Sequence, residues 1–303
     1  MESIKVDRHL IAVSHLDKIL FAPSKISKGD LINYYLKIAP YLIPYAKDHP
    51  LTMVRYPEGI KGEGFYQKDA PDYFPKWIKR IEVKKKDEGI THYVVCNNAA
   101  TLVYLANQNC ITPHLWLSKV DALDYPDRMI FDIDPSTKDF TLVRQTAWLV
   151  RETLEYLGLG CFVMTTGSNG LHVVVPLNRR ASFEQVRNFA HSLAEYLAAE
   201  FPEMITIELS KKKRGKKVFL DYLRNGFGAT AVCPYAVRPK PGAPVATPLA
   251  WDELKDKKLT SQEYNIKNIF KRLDTYEDPW QDFFQKKYGI AKAVQKLIDL
   301  LKS

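Results

Sequence analysis

Hydrophobic residues near the N-terminus recur at helical spacing. Four of them share one face: Leu31, Tyr35, Ile38 and Leu42. Ser27 followed by Asp30 is typical of the pair that caps a helix, so we expect a helix that begins after Ser27 and ends before Pro44. Two strand-like runs follow, at 51–55 and 91–96. The charged stretch 84–89 between them is predicted to be a solvated loop.

From about residue 126 the pattern alternates between short apolar runs and helical stretches. The apolar runs predict strands over 129–134, 161–165, 171–175 and 218–223. One helix is predicted over 143–157, and another follows the capping box formed by Ser182 and Gln185. The resulting order, β-α-β-β-α-β, is the split βαβ arrangement of ferredoxin-like and RNA-recognition folds. In that arrangement the last strand lies beside the first.

These patterns predict an α+β fold with one catalytic domain over 1–303. Its expected parts are a mixed α/β N-terminal subdomain over about 1–125 and an RNA-recognition-motif-like catalytic subdomain over 126–238, which packs on the first. Residues 239–303 are expected to form an extended, proline-rich connection and a C-terminal helix over about 288–302.

Composition narrows the class of protein. With 46% hydrophobic and 26% charged residues, the chain is typical of a globular protein. It has no apolar run of bilayer length and no apolar N-terminal stretch, so we expect no membrane association and a cytoplasmic location. The four cysteines are dispersed, which favours reduced thiols over a zinc site. A net charge of +9 indicates an anionic partner, of which nucleic acid is the commonest.

Asp132 and Asp134 are the strongest chemical signal. They lie two apart at the end of an apolar strand, so both carboxylates project from one face and need a cation. Asp221, inside another apolar run, is the best third ligand for a two-metal site. Two alternatives stay open at this point. The pair can cap a helix or face solvent, or it can belong to a haloacid-dehalogenase-like phosphatase with an open parallel sheet.

Weaker signals surround the acids. The turn at 165–173 contains two glycines, hydroxyl residues and His172, and can present hydrogen-bond donors to a triphosphate or form a plain hairpin. Residues 211–217 hold six cations in seven positions and form either a solvated loop or a segment that follows a phosphate backbone. Cations and aromatic residues also mix in two N-terminal groups, as on strand-stacking surfaces. These are Lys18, Phe21, Lys25 and Lys28, and Arg55, Tyr56, Tyr66 and Lys68.

Taken together, these motifs resemble the polymerase domain of the end-joining ligase D of bacteria and archaea, a member of the archaeo-eukaryotic primase superfamily. The resemblance covers nearly the whole chain. It includes the segments 15–21, 54–57, 113–116, 131–135, 221–225, 229–238 and 242–248. It implies a primase-like fold and a template-directed polymerase that fills short gaps at double-strand breaks, preferring ribonucleotides.

The resemblance also implies residue roles. Asp132, Asp134 and Asp221 would bind two divalent cations, Mn²⁺ by preference and Mg²⁺ as an alternative. The residues implied to bind the nucleotide are His114, Thr166, Ser168, His172, Arg224, Arg238 and Lys240. Those implied to bind DNA are Lys18 and Lys28, for a 5′-phosphate, and Arg55, Tyr66, Lys68 and Arg214.

The chain departs from the family pattern at three positions: Asn169 replaces a phosphate-binding Lys, Lys240 a common Arg and His15 a frequent Asn. The implied partners are DNA ends with a 5′-phosphate, NTP or dNTP, and separate Ku, ligase and phosphoesterase proteins. The main alternative function is that of a replicative-type primase catalytic subunit. A nucleic-acid-binding module without catalytic activity is a third.

Overall fold

The computed structural model describes residues 2–84, 88–276 and 278–302. The strands, in chain order, are β1 (Glu2–Val6), β2 (His9–Val13), β3 (Ile19–Phe21), β4 (Ile26–Ser27), β5 (Pro50–Arg55), β6 (Phe65–Gln67), β7 (Arg80–Lys84), β8 (Ile90–Val95), β9 (Cys110–Trp116), β10 (Arg128–Asp134), β11 (Phe162–Thr165), β12 (Leu171–Pro176), β13 (Ile205–Thr206), β14 (Val218–Asp221), β15 (Thr230–Val232) and β16 (Pro248–Leu249). The α-helices are α1 (Lys28–Ala46), α2 (Ala99–Asn107), α3 (Thr141–Tyr156), α4 (Phe183–Glu200), α5 (Ile269–Thr275) and α6 (Ala291–Leu300).

The chain divides into two compact units. The first unit contains residues 1–116, 230–246 and 264–274, and the second contains 117–229, 247–263 and 275–303. The C-terminal part of the chain therefore contributes to both units. The expected single catalytic domain stays a prediction. None of the helices in the described ranges has the length and apolarity needed to cross a membrane.

The first unit is built on a sheet with the strand order β15-β9-β5-β8-β7, and β6 pairs with β5. Strands β5 and β8 confirm the two predicted strand-like runs. Lys84, which we expected in a charged loop, ends β7, and residues 85–87 of that loop lie outside the described residues. Helix α1 is bonded to this sheet, because the Tyr35 hydroxyl of α1 donates a hydrogen bond to the Ile111 carbonyl of β9 at 2.5 Å.

Helix α1 begins as expected, because the side chains of Ser27 and Asp30 form a capping box. The prediction that it ends before Pro44 is wrong, since it continues to Ala46. Pro44 lacks the N–H that would bond to residue 40 one turn earlier, and its position in the last turn limits the loss to the end of the helix. The Lys47 N–H then bonds to the Ile43 carbonyl at 2.8 Å and closes the helix.

The second unit contains a six-stranded sheet in the order β13-β14-β10-β12-β11-β16. The central four strands follow the split βαβ arrangement, with α3 and α4 as the two crossover helices, so the predicted topology is confirmed. The last predicted strand is shorter than expected. β14 ends at Asp221 and a 3₁₀ turn, Leu223–Asn225, follows. The predicted C-terminal helix is confirmed as α6, although it begins at Ala291.

The cysteines fit their expected role as packed thiols. Among the described residues, Cys96, Cys110, Cys161 and Cys233 form no disulfide bond. Burial raises the pKa of Cys96 and of Cys110 to about 12, so both thiols are protonated at neutral pH. They act as small apolar groups in the core.

Candidate active site

The ladder of the second unit brings the acids together. Strands β10, β12 and β14 are antiparallel neighbours, and Asp132 has Asp221 as its Cα partner on one side and His172 on the other. Asp134 lies two residues further along β10, on the same face as Asp132. The predicted juxtaposition of Asp132 and Asp221 is confirmed. The phosphatase alternative is not supported, because β10 pairs antiparallel with both neighbours and the open parallel sheet expected for it is not found around the acid pair.

Two basic side chains approach Asp132. Arg224 Nε lies 3.1 Å from its Oδ2, and His172 Nε2 lies 3.4 Å from its Oδ1. The same Arg224 nitrogen is 4.0 Å from Asp221 Oδ2. Asp132 is 4% exposed, so the charge of Arg224 acts on it with little screening by water. The sequence implied that Arg224 and His172 bind nucleotide, and in this structure they contact the acid cluster.

The three carboxylates differ in proton affinity. Burial acts to raise the pKa of Asp132, but His172 and then Arg224 outweigh it and lower the pKa. Burial and the charge of Asp132 raise the pKa of Asp134 to about 6. Burial also raises the pKa of Asp221, against a hydrogen bond from the Leu223 N–H to its Oδ1 at 2.7 Å. Three acids at close quarters without enough positive charge are typical of a cation site.

The donor set suits a divalent cation. Asp132 Oδ1 and His172 Nδ1 are buried and have no hydrogen-bond partner in the described part of the chain. Carboxylate oxygens are the ligands preferred by Mg²⁺ and Mn²⁺. Within 2–84, 88–276 and 278–302, however, no three His, Cys, Asp or Glu side chains converge in an arrangement ready to hold a metal. Arg224 supplies positive charge to the carboxylates in this structure.

Asn225 positions Arg224 and was given no role from sequence. Its side-chain amide bonds to both backbone groups of Ile130, accepting from the N–H and donating to the carbonyl, each at 2.8 Å. Asn225 is fully buried. These bonds fix the 3₁₀ turn that carries Arg224 against strand β10. The amide thus determines where the guanidinium reaches the acids.

The glycine-containing turn packs against the acid-bearing strand. A Cβ atom at Gly170 would clash with the carbonyl oxygen of Ile133, so only glycine fits between Thr166 and strand β12. The Thr166 hydroxyl oxygen accepts hydrogen bonds from the N–H groups of Ser168 and Gly170, at 3.3 Å and 3.2 Å. Thr166 therefore shapes the turn. Its implied contact with nucleotide, and that of Ser168, stay predictions.

Two further residues hold this turn, and sequence reasoning missed both. Ser261 Oγ donates to the Gly170 carbonyl at 2.8 Å, and Gln262 Nε2 donates to the Ser168 carbonyl at 2.7 Å. Both lie more than 90 residues from the turn in sequence, in a segment with no recognisable motif. No local signal in the sequence could have identified them.

Arg214 is also in the second unit, but its side chain turns inward. It is 8% exposed, and its guanidinium donates to the carbonyls of Glu208 and Leu209 at 2.8 Å and 2.9 Å. It also lies 3.6 Å above the Phe219 ring. Arg214 thus orders the basic loop, and its implied contact with DNA stays a prediction.

The other implied site residues belong to the first unit. His114 on β9 is 8% exposed, and its ring lies 5.8 Å from that of Tyr66, which is 65% exposed. Arg55 is engaged locally, because it donates to the Gln67 side chain at 2.7 Å. Lys68 is exposed. The exposed Tyr66 ring and the exposed Lys68 lie two residues apart at the end of β6, a combination typical of surfaces that bind single-stranded nucleic acid.

Arg238 and Lys240 are half-buried at a turn of the first unit. The Arg238 N–H bonds to the Pro244 carbonyl at 2.7 Å, and the Lys240 N–H bonds to the Arg238 carbonyl at 2.8 Å. The structure thus fixes the backbone of this turn. The nucleotide contacts implied for the two side chains stay predictions.

Lys18 and Lys28 are neighbours in the first unit. The Lys28 N–H bonds to the Lys18 carbonyl at 2.8 Å, and Lys18 Nζ pairs with Glu58 at 3.0 Å. Burial and then the charge of Lys18 lower the pKa of Lys28. Two ammonium groups held together, with Lys28 only 4% exposed, suit the capture of an anion.

Comparison with known proteins identifies the family. The model of the LigD primase-polymerase domain matches residues 27–280. The chain belongs to this family. It is 32% identical over 272 residues to the bifunctional non-homologous end joining protein LigD of Bacillus subtilis, covering 89% of this chain and 43% of that protein. It is 30% identical over 289 residues to the multifunctional non-homologous end joining protein LigD of Pseudomonas aeruginosa, covering 94% of this chain and 34% of that protein.

A solved structure supports the same assignment. The polymerase domain of Mycobacterium tuberculosis ligase D, in complex with DNA, matches with a TM-score of 0.86 and 26% identity, over 92% of this chain and 99% of that one. The implied primase-like α+β fold is confirmed. As a LigD primase-polymerase domain the protein is a nucleotidyltransferase. The chain spans less than half the length of the two curated LigD relatives named above.

Proposed function

We propose that this protein fills short gaps at broken DNA ends by adding nucleotides to a primer 3′-hydroxyl under the direction of a template, with ribonucleotides preferred. The main observation behind this proposal is the pairing of strands β10 and β14, which sets Asp132 opposite Asp221, with Asp134 on the same face. Family membership supports the polymerase chemistry. The names of the relatives, which are end-joining proteins, support the choice of broken ends as substrate.

The three carboxylates would hold two divalent cations, with Mn²⁺ preferred over Mg²⁺. Such ions lower the pKa of an attacking hydroxyl and stabilise charge on the transferring phosphate. The protein supplies the surroundings of that reaction. Asp132 and Asp134 are presented on one rigid strand, and Gly170 allows the turn to approach them closely. Arg224 and His172 add donors beside the acids, where a triphosphate carries its negative charge.

The remaining implied residues would bind nucleotide and DNA. In the first unit, Lys18 and Lys28 would hold the 5′-phosphate beyond a gap, Tyr66 would stack on a template base and His114 would contact the sugar. The DNA bound to the M. tuberculosis relative supports DNA as the substrate class. We further propose that separate Ku, DNA ligase and phosphoesterase proteins complete the repair.

Primer extension on a gapped duplex tests this function. Matched substrates would carry either a 5′-phosphate or a 5′-hydroxyl beyond the gap, with NTP or dNTP in Mn²⁺ or Mg²⁺. We expect extension by one to a few nucleotides, faster with NTP, with Mn²⁺ and with the 5′-phosphate. Equal rates on the two ends would contradict the end-joining assignment but leave the polymerase. Efficient dinucleotide synthesis on unprimed template would instead support the replicative primase alternative.

A further inference from the structure

A second basic site lies in the first unit, apart from Lys18 and Lys28. It is a cavity of about 520 Å³ beside the N-terminal half of α1. Three lysines line it: Lys25, Lys37 and Lys267. We call this cavity the lysine pocket. None of the family motifs recognised in the sequence includes Lys37 or Lys267, and no role follows for them from the proposed chemistry.

The positive charge of the lysine pocket is only partly offset. Lys25, Lys37 and Lys267 are exposed, and no described carboxylate forms an ion pair with any of them. The one acid in the lining, Asp30, is engaged in capping α1, because its Oδ2 accepts hydrogen bonds from the N–H and hydroxyl of Ser27 at 2.8 Å and 3.1 Å. Three lysines against one carboxylate leave the lining with a net positive charge, which favours an anion, and phosphate is an anion that lysine commonly binds.

The lining of the lysine pocket also contains aromatic and apolar side chains. Phe270 is half-buried in the lining, and its ring lies 5.8 Å from that of Tyr34. Tyr34 is held in place because its hydroxyl donates to the Tyr235 carbonyl at 2.7 Å. An aromatic face combined with nearby cations is the usual surface for single-stranded nucleic acid, since bases stack on rings while lysines pair with phosphates.

The backbone around Lys25 is fixed in an unusual conformation. Lys25 has φ of +54°, a left-handed value that is rare for a residue other than glycine. Its N–H bonds to the Ala22 carbonyl at 3.3 Å, and the hydroxyl of neighbouring Ser24 accepts a hydrogen bond from the Gly242 N–H at 2.7 Å. The turn that presents Lys25 is therefore ordered by its own hydrogen bonds.

We propose that the lysine pocket binds one nucleotide of a single-stranded DNA segment, with Lys25, Lys37 and Lys267 on the phosphates and Phe270 against the base. The volume of about 520 Å³ is ample for one nucleotide. This inference extends the proposed function, because a polymerase that works at broken ends meets single-stranded overhangs. It assigns a DNA-binding site in addition to the 5′-phosphate site.

Binding of a labelled dT12 oligonucleotide, followed by fluorescence anisotropy over a series of salt concentrations, tests the proposal. The variant is Lys37→Glu with Lys267→Glu. The matched control is Lys5→Glu with Lys47→Glu, which makes the same charge change at exposed positions outside the lysine pocket. We expect the pocket variant to weaken binding about tenfold or more. We also expect its plot of log affinity against log salt to flatten by about 0.7 for each phosphate that no longer pairs with a lysine. Equal weakening in variant and control would overturn the proposal.

Two further measurements locate the ligand. Phe270→Leu should weaken dT12 binding about fivefold or more without changing the salt slope, because it removes the ring on which a base stacks and leaves every charge in place. Photo-cross-linking of an oligonucleotide containing 5-iododeoxyuridine should label Phe270. Labelling confined to other residues would overturn the proposal.

Primer extension with the same preparations separates the two proposals. If the wild-type protein extends primers and the pocket variant binds dT12 as the control does, the lysine pocket assignment is wrong and the polymerase assignment stands. If the pocket variant loses binding while the wild-type protein extends no primer, the polymerase assignment is wrong and the lysine pocket assignment stands. Thermal unfolding of each variant confirms that it is folded.

Discussion

The two units handle charge in opposite ways. In the second unit the reactive groups are acids on paired strands, and Asp132 is 4% exposed with its neighbours set by the ladder. In the first unit the lysine pocket is formed by exposed cations on a turn, on α1 and just before α5. Buried acids on a rigid sheet have a fixed geometry, but their negative charges repel one another. Exposed lysines attract phosphates without a precise geometry, which suits a single DNA strand of variable sequence.

Removal of one of the three acids should reduce primer extension more than any other single substitution. We expect Asp132→Ala to reduce primer extension about 1,000-fold or more, because the two remaining carboxylates cannot hold the proposed cations. Binding of dT12 should change less than threefold if the first unit supplies most of the attraction. Glu152→Ala, which removes an exposed carboxylate from α3 of the same unit, is the control and should keep wild-type rates. A variant that still extends primers would show that Asp132 is not a metal ligand.

Gly170→Ala tests the rigid geometry directly. The added methyl group would clash with the Ile133 carbonyl, a backbone atom that cannot move without disturbing Asp132 and Asp134. We expect a loss of about 2–4 kcal/mol in the free energy of unfolding, measured in urea. The control is Gly226→Ala, where the methyl group would meet only the Leu223 carbonyl at 3.5 Å. If both variants were equally stable, the turn would be more adaptable than its packing indicates.

The repulsion among the acids predicts that the stability of the folded protein depends on pH. The pKa of Asp134 is raised by burial and by Asp132 from its usual 3.8 to about 6. The folded state thus binds this proton more tightly than the unfolded chain does, and the stability contributed by the proton is lost as the pH rises through this range. Asp134→Asn should remove that loss, so the metal-free variant should be more stable than wild type at pH 8 by about 1–2 kcal/mol.

The same variant should respond differently to metal. Addition of Mn²⁺ should raise the thermal midpoint of the wild-type protein and leave that of Asp134→Asn nearly unchanged, because a carboxylate ligand is gone. Asp139→Asn, at an exposed acid of the same unit, is the control for charge alone. A wild-type-like response of the Asp134 variant to Mn²⁺ would contradict the role of this residue in the cation site.

Much of the second unit could be predicted from sequence, because strand alternation and helix caps are local signals. The order of its elements then placed Asp221 opposite Asp132, since the split βαβ arrangement has few alternatives. The ion pair between Arg224 and Asp132 could not be predicted, because it depends on the turn fixed by Asn225. The hydrogen bond from Ser261 to Gly170 could not be predicted either, because it joins segments far apart in the chain.

The first unit was less predictable for a physical reason. Lys25 stood out in the sequence, but Lys37 lies within an ordinary amphipathic helix and Lys267 precedes a short one. Exposed lysines occur throughout a chain of net charge +9, so no single lysine indicates a site. Only the fold shows which of them share a cavity with Phe270.

The smallest expected effect concerns the more buried lysine of the first unit. Lys28→Gln should reduce the preference for a gap with a 5′-phosphate about fivefold, measured as the ratio of dissociation constants for the phosphate and hydroxyl substrates. The hydroxyl substrate is the internal control, and Lys47→Gln at the far end of α1 is the control for net charge. Because burial and Lys18 lower the pKa of Lys28, wild-type preference should decline at a lower pH than an ordinary lysine would allow. A preference unchanged in Lys28→Gln would mean that phosphate recognition rests on Lys18 or on exposed lysines. The first unit would then bind DNA by general attraction alone, without any geometry comparable to that of the acids.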